Sequence, residues 1–201
     1  MITITVFGCK SQLQVENPPS KKNSLFILGK TDSQWVDFHN QTNRNKSESL
    51  CDPTDWDSPR VTLIDFNKDY QIIQILCNRY AYQSDFVFYA HQKTDLSPEP
   101  TLTTLTFDQF QGHQRINLNV LLGAFIDPTS QEITTHQKGR GLGDCGNASV
   151  YKWTNQMGGF FYLIEARSKE ICDGDIEAPW PIIFKKENPE TPPLPKDPSI
   201  Q

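Results

Sequence analysis

Residues 138–153 read KGRGLGDCGNASVYKW, and the first nine of them hold four glycines, a cysteine and the pair Arg140 and Asp144. Glycines at this density mark backbone that enters φ > 0 or passes within contact of another segment. Behind them, Ala148, Val150 and Trp153 sit among residues that favour a strand. The stretch therefore reads as a tight glycine loop that presents Cys145 for a disulfide, lets Arg140 and Asp144 face each other, and feeds a sheet. Gly141-x-Gly143-x-x-Gly146 also has the form of the dinucleotide fingerprint. That fingerprint works only between a buried strand and a helix N-terminus, whereas here a polar run precedes it and a strand-like run follows. No nucleotide or other cofactor is expected.

The cysteines extend this reading. There are five. Setting Cys9 aside leaves Cys51, Cys77, Cys145 and Cys172, which allow three pairings. The pairs Cys51–Cys77 and Cys145–Cys172 each close a short local loop and are favoured, at about 3 kcal/mol apiece from loop entropy. Cys9 follows Val6-Phe7-Gly8, which resembles a bacterial lipobox with its small residue before the acylated cysteine. Eight residues precede Cys9 with no basic stretch, whereas a signal peptide has roughly 15–30 residues. Lipidation of Cys9 therefore implies a start further upstream.

Along the chain, residues 1–24 read as a signal remnant with lipobox and a flexible tether, with Pro18-Pro19 inside a polar run. An N-terminal β unit is expected over 25–97. It begins with the apolar run 25–28 and a strand over 34–39 with Trp35 or Val36 inward, followed by a polar loop over 40–49. Strands over 60–66 and 70–77 flank the turn Asn67-Lys68-Asp69, and an aromatic run over 79–91 is broken near Gln83-Ser84-Asp85. A C-terminal β unit is expected over 98–186. It has strands over 102–107, 120–126, 132–136, 149–153, 160–167 and 180–184, with 110–119 ambiguous. The proline-rich tail, 187–201, is expected to be disordered. Few segments carry a helical period. The fold class is mostly β: antiparallel sheets, as a sandwich or two small packed β units, with disulfides and little helix.

The glycine loop, the aromatic strand from Tyr151 to Trp153, Phe160 to Leu163, Cys172-Asp173-Gly174 and Trp180-Pro181 together resemble the bacterial "domain of unknown function 1176" family. Ile75 to Cys77 followed by Tyr80-Ala81-Tyr82 looks like that family's cysteine-plus-aromatic strand. The resemblance covers about residues 55–185. It implies an exported, cysteine-bridged, mostly β protein of Gram-negative bacteria, with no agreed activity. With Cys9 as anchor, the expected location is the periplasm or outer membrane, and the only membrane link is lipid.

Composition narrows the function. The net charge of −5 and a pI near 5.3 argue against nucleic acid, which needs clustered Lys and Arg. Catalysis by Cys145 with His136 as base requires a reduced thiol, which a bridge to Cys172 removes. The histidines 39, 91, 113 and 136 and the cysteines show no zinc spacing. The aspartates 52, 55 and 57 around Trp56 lack the glycine and distal Glu of an EF-hand loop. No metal is expected. The remaining reading is a binding module, with Arg140, Asp144, Tyr151, Trp153 and Trp180 as the candidate surface and Trp180 partly exposed. Its partner would be an envelope protein, a secreted enzyme that it inhibits, or a glycan. Two rivals remain. One is a hydrolase drawing its acid and base from Asp144 and Asp173 or Glu177, and the other is a structural envelope factor. The sequence leans away from an enzyme.

Overall fold

Every paired strand in the computed structural model runs antiparallel to its neighbours. The structure describes residues 30–44, 50–52, 59–94, 101–111 and 114–193. The first sheet takes β1 (Val61–Asp65), β2 (Tyr70–Arg79), β3 (Ser84–Gln92) and β4 (Leu102–Thr104). A separate hairpin follows, β5 (Phe107–Gln111) with β6 (Gln114–Leu118). Then β7 (Val120–Leu122) returns to β3, sharing its outer edge with β4. The second sheet has the order β12-β11-β10-β9-β8, from β8 (Ala124–Asp127), β9 (Glu132–Lys138), β10 (Gly146–Thr154), β11 (Phe160–Lys169) and β12 (Ile182–Lys185). β4 and β7 lie beyond residue 97 in sequence yet belong to the first sheet, so the two sheets close on one shared core.

Alternation along β2 explains the layering. Tyr70 and Ile72 join Phe88, Phe107, Ile133, Tyr151, Trp153 and Phe161 in the core between the sheets. Ile73 and Ile75 point the other way and pack with Val61, Val87, Tyr89, Trp35 and Val36. A strand buried on both faces reads as a nearly continuous apolar run, as Ile72 to Leu76 does. The inter-sheet core is aromatic. Trp153 meets Phe66, Tyr70 and Phe161 at ring separations of 5.2, 5.1 and 5.0 Å, all edge-on. Burial of each such side chain contributes roughly 1.5–3 kcal/mol, with edge-on geometry adding to it.

The segment expected as a strand over 34–39 is instead helical: α1 (Asp32–Asn43) covers the outer face of the first sheet. Thr31 caps it. Its Oγ1 accepts the Gln34 N–H at 3.4 Å, while the Thr31 N–H donates to Gln34 Oε1 at 2.8 Å, a capping box. Trp35, Val36, His39 and Asn43 are buried, a spacing that fits one helical face and not an alternating strand. The expected polar loop over 40–49 therefore starts inside a helix. There Asn40 holds Cys51, donating to its carbonyl at 2.9 Å and accepting its N–H at 2.8 Å.

Three other expectations shift. The ambiguous stretch 110–119 forms most of the β5–β6 hairpin. The break placed near residues 83–85 lies earlier, because Arg79 already pairs with Ser84 and the turn occupies 80–83. The start of the expected disordered tail lies against the second sheet: Tyr162 Oη donates to the Pro189 carbonyl at 2.6 Å and Lys152 binds Glu190 at 2.6 Å. The Cys9 lipobox, residues 1–24, the strand over 25–28, Asp55, Trp56 and Asp57 of the acidic cluster, His113 and residues 194–201 lie outside the described residues.

Candidate binding surface

The glycine loop joins β9 to β10, and the sheet register brings its two ends together. Gly146 pairs with both Lys138 and Lys169, so the loop opens at the same end of the sheet as the segment after β11. Gly146 has φ +134°, and a β-carbon there would stand 2.0 Å from the Gln137 carbonyl oxygen. Only glycine fits. The loop feeds a strand and not a helix, so the amides that a dinucleotide fingerprint aims at pyrophosphate are absent here.

A disulfide and a set of side-chain hydrogen bonds clamp the loop. Cys145 is bonded to Cys172, and Cys51 to Cys77 under α1. Arg140 donates from Nε to Asp144 Oδ1 at 2.8 Å and from Nη2 to Oδ2 at 2.5 Å. Arg140 Nη2 also donates to the Cys172 carbonyl at 3.3 Å, and the Gly174 N–H to Asp144 Oδ2 at 2.6 Å. The Asp144 side chain is sealed from solvent, while that of Arg140 is about half exposed. Chiefly the Arg140 hydrogen bonds, with the Gly174 amide, hold the Asp144 carboxyl far below the usual carboxylate range. The same bonds raise Arg140.

The first sheet reaches across to this loop. Gln83, at the β2–β3 turn, donates from Nε2 to the Lys138 carbonyl at 3.4 Å, and its Oε1 accepts the Lys138 N–H at 2.9 Å. Beside it the Tyr82 ring packs against Gly141, where a β-carbon would stand 2.7 Å from the ring. Tyr80 is held by its hydroxyl, which donates to Asp85 Oδ2 at 2.9 Å, and its phenol is raised chiefly by desolvation. Tyr80, Tyr82, Leu142 and Ile171 are 55, 68, 58 and 74% exposed. The segments that carry them meet at the glycine loop, through Tyr82 against Gly141 and the Cys145–Cys172 bond, and Glu170, Asp173, Asp175 and Glu177 lie in the segment around Cys172.

Of the residues expected to bind, the structure leaves Arg140 alone with an exposed side chain. Asp144 is occupied by Arg140. Tyr151 and Trp153 are buried in the inter-sheet core, and Tyr151 Oη donates to the Asp108 carbonyl at 3.1 Å. Trp180 is not partly exposed: its ring lies 4.7 Å from His136, and 8% of it reaches solvent. The prolines flanking Trp180 mark a chain that turns its tryptophan inward. Tyr80, Tyr82, Leu142 and Ile171 take the place of these rings. Tyr80 and Tyr82 read as strand residues because no glycine or proline marks the turn that exposes them.

Other chemistry is constrained by the same contacts. His39 lies with one nitrogen within 4.8 Å of the Cys51 and Cys77 sulfurs, and Asp144 likewise beside Cys145 and Cys172. Both sulfur pairs are disulfides, so neither group offers a thiolate to a metal or a nucleophile to a substrate. Asp173 accepts from Lys169 at 2.7 Å, which lowers its carboxyl. Asp175 Oδ1 accepts the N–H groups of Glu177 and Ala178, each at 3.0 Å. Of the carboxylates named for a hydrolase, Asp144 and Asp173 are thus ion-paired, and Glu177 has its backbone N–H held in the turn that Asp175 closes.

A family model described as "Protein of unknown function (DUF1176)" matches residues 12–186. The chain is also similar to the uncharacterized protein YpfG of Escherichia coli (strain K12), 28% identical over 114 residues. That alignment covers 56% of this chain and 31% of the relative, so the chain spans under a third of that protein's length. No solved structure matches significantly.

Proposed function

The chain belongs to the DUF1176 family of proteins of unknown function, and on that premise we propose that it is an envelope protein that binds a basic protein partner. One observation carries the reading. Tyr80, Tyr82, Leu142 and Ile171 stand exposed on three chain segments, and the one that carries Leu142 is a loop fixed by a disulfide and an Arg–Asp fork. Exposed aromatic and aliphatic side chains on a rigid frame bind without a large ordering cost. The adjacent carboxylates, in a chain of net charge −5, favour a cationic partner, such as a secreted lysozyme. Two disulfides support an oxidising compartment, and acylation of Cys9 would tether the domain to the membrane.

Photo-crosslinking from position 82 or 142 in intact cells tests the surface, with Phe125, exposed on β8, as the control position. The expected result is one discrete adduct to a basic protein from 82 and 142 and none from 125. Equal labelling from all three positions, or an acidic partner, overturns the reading. The intact mass of the envelope-extracted protein tests the compartment: an acyl group on Cys9 and two bridges support it, and four free thiols overturn it.

A further inference from the structure

We propose a second ligand site, for an acidic saccharide, in a cleft towards the opposite end of β11 from the glycine loop. The cleft has a volume of about 510 Å³, within the range of small-molecule sites, roughly 300–1,000 Å³. Leu163, Tyr162 and Phe184 line it together with Arg115, Lys185 and Lys186 and one carboxylate, Glu187.

The groups at the rim differ in what they have left to offer. Arg115 donates to Asp108 Oδ2 at 2.5 Å and stands over the Phe184 ring at 5.5 Å. Lys185 lies 3.7 Å from Glu165. Lys186 has no side-chain partner among the described residues, yet its backbone is fixed, its N–H donating to the Ile164 carbonyl at 2.8 Å. The far wall is a turn, with the Thr191 N–H donating to the Asn188 carbonyl at 3.3 Å. Pro189 and Glu190 pin that turn to β11 and β10. Among the described residues the Thr191 hydroxyl and the Asn188 amide nitrogen are unspent.

Unspent hydroxyl and amide groups beside an unpaired ammonium in one cleft match the hydroxyls and the anion of an acidic sugar. Its hydroxyls would meet Asn188 and Thr191 and its anion would meet Lys186, with Arg115, already paired to Asp108 and stacked on Phe184, as the wall beside it. The anion can be a carboxylate or a phosphate, since both are oxygen acceptors for an ammonium.

Titration of the full chain with glucuronate, glucose 1-phosphate, glucose and inorganic phosphate, followed by the amide NMR signals of Lys186 and Thr191, tests the site. Saturable shifts with glucuronate or glucose 1-phosphate, at least tenfold tighter than with glucose, are expected, and the stronger of the two identifies the anion. Lys186→Gln should weaken that binding about tenfold, as loss of one charge-assisted hydrogen bond does. Thr191→Ala should weaken the sugar but not inorganic phosphate. Three results overturn the proposal: glucose binding as tightly as the acids, inorganic phosphate binding as tightly as the sugar acids, or binding indifferent to Lys186→Gln.

Discussion

Arg140 and Asp144 form a two-pronged ion pair in which the carboxylate is sealed from solvent and the guanidinium is half exposed. Removing Arg140 leaves a buried carboxylate with the Gly174 amide for company, and uncompensated buried charge is strongly destabilising. Arg140→Ala should lower the melting temperature by several degrees. Arg140→Lys should not restore it, because an ammonium cannot span both oxygens. The double variant with Asp144→Asn should lose less than the two single losses added together, and calorimetry of the four proteins checks this. Strict additivity would mean that the two side chains do not act as a unit.

The same pair sets an acid limit. The Asp144 carboxyl is depressed in the folded state relative to about 3.9 in an unfolded chain. Its stabilisation is therefore complete above about pH 4 and is lost as pH falls towards the folded value. Asp173, lowered chiefly by Lys169, acts in the same direction. The urea midpoint should fall between pH 5 and pH 3 and should fall less in Asp144→Asn.

Losing the Cys145–Cys172 bridge, which spans 27 residues, as Cys145→Ser with Cys172→Ser should cost about 3 to 4 kcal/mol in urea unfolding. The proposed surface should suffer further, with crosslinking from position 82 falling even where the protein remains folded. Cys51→Ser with Cys77→Ser should cost a similar amount, since that bridge spans 26 residues. It lies under α1 and should leave crosslinking intact.

His91 is 5% exposed, and among the described residues neither of its ring nitrogens has a hydrogen-bond partner. A buried polar group without partners costs free energy that an apolar replacement recovers. His91→Leu should raise unfolding stability by about 1 kcal/mol. A loss instead would show that the imidazole performs a role that burial conceals.

His136 packs edge-on against Trp180, and its pKa is lowered from 6.5, chiefly by desolvation with Lys138 adding to it. The neutral ring is favoured in the folded protein. Its contribution to stability is full above about pH 6.5 and declines below it. Imidazolium quenches indole, so the Trp180 emission should drop on acidification with a midpoint under 6.5. That transition should vanish in His136→Gln. A midpoint at or above 6.5 would contradict the packing.

The sequence carried the β class through short apolar runs such as 70–77, whose near-continuity marks a strand covered on both faces, and through turns such as Asn67-Lys68-Asp69. It concealed α1, since Trp35 and Val36 side by side suit either element over six residues. The decisive signal was Thr31 with Gln34, a capping box that is visible only when the helix is read from its start. The site was harder to see. Which of Tyr82, Tyr151, Trp153 and Trp180 faces outward depends on packing between sheets, and composition is silent on that. The glycine loop was recognisable because its constraints are local, whereas Tyr82, which packs on it, comes from a turn far earlier in the chain.

Gln83 docks both ends of its amide onto Lys138, and this stitches the tip of one sheet to the rim of the other. The face that carries Tyr82 and Leu142 is therefore a seam, with each half supplied by a different layer. A chain with only one layer assembled offers half a footprint. Recognition at that seam would distinguish a finished molecule from an unfinished one, and affinity for the partner would report whether the two layers had closed.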